Sequence, residues 1–120
     1  SKILIYEIIF IWGDYIKMAI KEFNFLQEKV NMINQEKLYK NICKNIKKFR
    51  IEKYNEFKSL EHRNMINPYS SENISALLDY SHNHYKRFES ETDSTKKIPL
   101  EKLVKLSIIL EKNIEDFFKD

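Results

Sequence analysis

Four side chains between positions 82 and 87 concentrate recognition chemistry. His82, Asn83, Lys86 and Arg87 can each hydrogen-bond a base edge or a phosphate. Tyr85 and Phe88, three apart, can form the inner face beneath them, with Tyr80 just before. Other chemistries find less support. His82 and His84 are two apart, a spacing that does not put two ligands on one helix face. No nearby Cys or paired carboxylates complete a zinc site, so surface histidines are the default reading. No G-x-S-x-G or comparable strained turn activates a serine. A single glycine, Gly13, cannot build a Gly-rich phosphate loop. No enzyme, metal or cofactor is expected. Cys43, the one cysteine, lies among Ile42, Ile46 and Phe49 and reads as a small buried hydrophobe rather than a nucleophile. It excludes a disulfide framework and fits a reducing, cytoplasmic compartment.

Elements must position those four side chains, and composition says which kind. Average usage over 120 residues would give about eight glycines and six prolines. This chain has one glycine and two prolines, too few for the turns of a sheet protein. The fold class is therefore all-α. The net charge of +3 is uneven: residues 39–63 carry eight basic and three acidic side chains. Residues 1–38 carry five of each. Clustered lysines can neutralise phosphates, and they can equally be a solvated helix face.

Residues 3–33 read as helix, with a stripe through Ile5, Ile9, Trp12, Ile16, Ile20, Phe23, Leu26, Val30 and Ile33 in steps of three or four. Gly13-Asp14 is a candidate break. The apolar run 3–12 is too short to span a bilayer and lacks a signal peptide's basic start, so no membrane partner is expected. The chain does not begin with methionine, which leaves room for an upstream segment. Residues 36–60 read as a second long helix, with Lys53 interrupting its stripe. A loop at 61–69 follows. Ser70 or Ser71 can cap a helix through Leu78, with Ile74, Leu77 and Leu78 facing inward. Asp79-Tyr80 is a tight break, and Ser81 can cap a helix through Phe88 or Glu89. Residues 90–97 are a polar loop. Pro99 opens a helix through Leu110, and Asn113 with Asp116 resembles a capping box.

Two short helices joined by about three residues, one buried and one polar, describe a helix-turn-helix. Its first helix crosses the phosphate backbone, and its second enters the major groove. The segments NIKKFRIEK at 45–53, YSSENISALLDYSHNHYKRFES at 69–90 and IPLEKLVKLSIILEKNIEDFF at 98–118 resemble, in order, the phage-repressor-like (Cro and Xre-type) family. They cover roughly 70 residues. The resemblance implies a lambda-repressor-like domain over 39–120 that binds double-stranded DNA as a transcriptional regulator, most simply a repressor. It implies base contacts from His82, Asn83, Lys86 and Arg87. It implies backbone contacts from Lys44, Lys47, Lys48, Ser71, Ser81, Lys96 and Lys97, and an ion pair between Arg50 and Glu89.

The sequence departs from the family pattern in places. Ser71 stands where many members have a bracing glutamine, and Asp79 replaces the usual turn glycine. Residues 55–68 are an insertion of about 14. Residues 1–38 have no counterpart in the minimal domain. Their broad apolar surface, including Ile5, Ile9, Trp12, Ile16, Ile20 and Phe23, points to a homodimer through this segment. These departures keep a second reading open: a protein-interaction module (anti-repressor, co-regulator or antitoxin) that retains the fold and binds a protein partner.

Overall fold

The computed structural model describes residues 2–60, 65–92 and 97–120. Among them the regular elements are all helical: α1 (Lys2–Asn31), α2 (Gln35–Ser59), α3 (Ser71–Leu77), α4 (His82–Arg87), α5 (Leu100–Ile109) and a closing 3-10 helix, Ile114–Phe118. The all-α class follows directly. The chain divides into two compact units, Ser1–Asn34 and Gln35–Asp120. The division falls at Asn34 rather than after residue 38, because Leu38 and Tyr39 pack on the core of the second unit.

The first unit is essentially α1. Gly13-Asp14 does not break it. Glycine at a helix centre costs about 1 kcal/mol relative to alanine, too little to stop a run of good apolar spacing. No residue of α1 is buried. No helix among the described residues is long and apolar enough to cross a membrane.

The second unit is built on α2. Ile42, Ile46 and Phe49 point into a core shared with Ile74, Leu78, Tyr85, Leu103, Leu106, Leu110 and Phe117. Phe49 meets Phe117 edge to face, with ring centroids 5.2 Å apart. Cys43 is buried beside them. Buried Asn45 donates to the Phe117 carbonyl (2.9 Å) and the Lys119 carbonyl (2.7 Å), tying α2 to the chain end. Lys53, which interrupts the apolar stripe, reaches out to Glu111 at 2.7 Å. One inward assignment is corrected: Leu77 is 55% exposed and Ser75 is buried in its place. Positions 75 and 77 flank the Ile74–Leu78 face equally, so helix period does not choose between them; packing against the neighbouring helices does. The Ser75 hydroxyl is satisfied locally, donating to the carbonyls of Ser71 and Glu72.

The helix ends carry the expected chemistry. Ser70 caps α3 by accepting from Asn73 N–H, and Ser81 caps α4 by accepting from His84 N–H. Pro99 stands at the cap of α5, just ahead of its first residue. Asp116 reaches back to accept from Asn113 N–H at 3.1 Å. Asp79 closes α3 in a left-handed conformation, φ 59°. Its N–H bonds the Ala76 carbonyl and Tyr80 N–H bonds the Ser75 carbonyl, a Schellman ending without glycine. Glu111 closes α5 the same way at φ 55°, a second site that a glycine would suit. Asp79→Gly should therefore raise stability by about 0.5–1 kcal/mol, after glycine's larger unfolded-state freedom is set against the relieved backbone. Thermal melting would show a rise of a few degrees, and an unchanged or lower midpoint would refute the strain argument.

Three surface carboxylates contribute to the dependence of stability on pH. Hydrogen bonds from Lys105, Lys53 and Lys119 hold Glu101, Glu111 and Asp116 below their ordinary values. Groups with lowered folded values contribute stability above the ordinary carboxylate range and lose it as pH falls through the folded values. Stability should be flat from neutral pH down to about pH 5 and decline below about pH 4. Solvent screening keeps the decline shallow. A melting series across pH 7 to 3 that falls first above pH 5 would contradict this account.

Candidate nucleic-acid interface

Of residues 55–68, expected to be an insertion, those up to Ser59 belong to α2. Asn67 then anchors the returning chain. Its side chain donates to the Tyr54 carbonyl (3.0 Å) and accepts from Tyr69 N–H (2.9 Å). Asn73 on α3 donates to the Asn67 carbonyl at 2.8 Å. The start of α3 is thus fixed relative to α2.

α3 and α4 then form one unit. Ser71 Oγ lies 2.8 Å from His82 Nε2, joining the first residues of the two helices. Lys102 from α5 donates to the Leu78 carbonyl at 2.7 Å and lies over the Tyr80 ring at 5.1 Å. That lysine satisfies an open carbonyl at the end of α3 and pins the turn. Tyr80, His84 and Phe88 form a cluster with ring centroids 4.5–5.4 Å apart.

α4 has two distinct sides. Tyr85 and Phe88 face the core, while Asn83, Lys86 and Arg87 are exposed. At about 100° per residue, those three occupy an arc of roughly 100° centred opposite the buried pair. Among the described residues, none of these three side chains makes a hydrogen bond or ion pair. His82 belongs only partly with them, since it is half-buried and engaged by Ser71. Ser71 and Ser81 each spend one hydroxyl interaction inside the fold, on His82 and on the α4 cap.

The Arg50–Glu89 ion pair forms just past the end of α4. Arg50 Nε is 2.6 Å from Glu89 Oε2 and Nη2 is 2.9 Å from Oε1, a two-pronged geometry. A third Arg50 nitrogen, Nη1, donates to the Tyr69 carbonyl at 3.3 Å. Burial acts to lower the Arg50 pKa, but the Glu89 hydrogen bonds and charge outweigh it, and the net direction is up. Burial, with Glu89's charge second, pushes the neighbouring Tyr85 phenol upward, so it stays neutral in any ordinary buffer. The pair fixes the end of α4 onto α2.

The candidate phosphate contacts divide. Lys44, Lys47 and Lys48 are exposed on α2, roughly half a turn around from Ile42, Ile46 and Phe49. Lys47 is nearest the Arg50 edge, about 60° away, and Lys48 is farthest at about 160°. Lys97 lies over the Tyr39 ring at 5.6 Å. Lys96 falls outside the described residues. Sequence reasoning missed Lys102 and the Ser71–His82 link, because both depend on contacts between elements that carry no local spacing signal. The described residues contain no group of three His, Cys, Asp or Glu side chains able to hold a metal ion. No family model matches the chain, and comparisons with curated proteins and with solved structures find no match.

Proposed function

We propose that the second unit is a lambda-repressor-like helix-turn-helix domain that binds duplex DNA sequence-specifically and regulates transcription, most simply by occluding a promoter. The observation that carries this reading is the arc of Asn83, Lys86 and Arg87. Three hydrogen-bonding side chains stand exposed on a short helix whose other side is locked into the core. Such a helix suits the major groove, where Asn reads adenine and Arg reads guanine by paired hydrogen bonds. α3 would cross the backbone, with Ser71 and Ser81 near phosphates, and Lys47 would supply positive potential from α2. The protein would need no cofactor for this.

A second reading has its own support. Met65, Ile66 and Leu77 are exposed apolar side chains next to α3, a surface a protein partner could cover. An anti-repressor, co-regulator or antitoxin would use such a face and leave DNA alone.

A fluorescence-polarisation titration separates the two. DNA binding requires measurable affinity for random duplex at low salt, falling steeply as salt rises. Selection of genomic fragments on the purified protein should then return a shared sequence. No binding to duplex at 50 mM salt would remove the DNA reading and leave the protein-partner one.

A further inference from the structure

We infer that α1 is a self-association helix that pairs, as a two-stranded coiled coil, with α1 of a second copy of this chain. The inference concerns the first unit alone and stands apart from the DNA reading. Ile9, Ile16, Phe23 and Val30 recur every seven residues along α1. Ile5, Trp12, Ala19 and Leu26 recur four residues ahead of them. The alternating steps of four and three run unbroken from 5 to 30, the pattern of a coiled-coil seam. Glu7, Asp14, Lys21 and Glu28 repeat with the same period on the opposite side. The stripe drawn from spacing alone passed through Ile20; the strict seam passes through Ala19, with Ile20 beside it. The helix is continuous through Gly13, so nothing interrupts the repeat.

Three observations select a second copy as the occupant. First, α1 buries none of its own residues, and a lone amphipathic helix is marginal in water. Second, the described helix carries four basic and four acidic side chains, so two copies do not repel. A partner selected by charge would favour a one-sided rim. Third, the area suffices. Trp12 and Phe23 can each bury about 150–250 Å², and the five seam aliphatics on the order of 60–120 Å² each. One copy would then bury about 600–1,100 Å², against the roughly 800 Å² per partner of a stable interface.

The test is sedimentation of the full chain at micromolar concentration. The expected mass is twice 14.6 kDa. Ile16→Asp places a charge on the seam in both copies and should raise the dissociation constant on the order of a hundredfold. Phe10→Asp alters an exposed apolar residue off the seam and should leave the dimer intact. Ile16→Leu should keep it as well. A monomeric wild-type chain, a mass other than two copies, or equal loss from Ile16→Asp and Phe10→Asp would each overturn the seam. Loss of DNA binding with the dimer unchanged would bear on the function proposal and leave this one standing.

Discussion

Glu89→Ala should destabilise the second unit by about 3–5 kcal/mol. The reason is what it leaves behind. Arg50 makes two bonds to Glu89 at 2.6 and 2.9 Å and only a long third one, at 3.3 Å, to the Tyr69 carbonyl. The side chains are 13% and 8% exposed, so water cannot replace the lost carboxylate without opening the fold. An uncompensated guanidinium would remain beside the buried Tyr85 ring. The readout is the urea midpoint by far-ultraviolet circular dichroism, at unchanged slope. Trp12 lies on α1 and reports the first unit separately.

A double replacement separates burial from pairing. Arg50→Met with Glu89→Leu fills the same space without charge and should recover most of the loss, since a buried pair is often no better than packed apolar groups. Arg50→Lys should not recover it, because an ammonium cannot span both carboxylate oxygens. A Glu89→Ala loss below about 1 kcal/mol would show that the pair is hydrated and positional only.

This pair also shows what was legible beforehand. The Arg50–Glu89 pairing follows from their places in the first two of three ordered segments, and local signals place the caps: Ser70, Ser81 and the Asn113–Asp116 box. Such features depend on residues within four positions of each other, or on a resemblance that carries tertiary knowledge. Leu77 misled because helix period alone allows it beside Ile74 and Leu78; the packing of α4 against α3 decides for Ser75. Asn45, Lys102 and the Lys53–Glu111 bridge lie outside any period, their partners being 24 to 74 residues away. The same limit applies to the interface. The spacing of Asn83, Lys86 and Arg87 predicts one face, and the three are exposed together on α4. His82 left that face because Ser71, 11 residues earlier, sits within reach of its ring.

If α4 reads bases and α2 only supplies charge, two alanine variants should fail differently. Arg87→Ala should cost about 1–3 kcal/mol on the selected sequence and little on random duplex, relaxing preference at one base pair. Its side chain is exposed and has no partner within the described residues, so the substitution should leave the melting temperature unchanged. Lys47→Ala should weaken binding to every sequence alike and flatten the logarithmic salt dependence by about one unit. Lys48, roughly 100° farther around α2 from the Arg50 edge, should matter less than Lys47 if contact with phosphate is what counts. Titrations of all three variants against specific and random duplex, at several salt concentrations, decide the matter. Equal loss on both duplexes for Arg87→Ala would demote α4 from reader to charge carrier. Equal loss from Lys47 and Lys48 would mean that the basic stretch acts through its net charge, with no fixed register on the backbone.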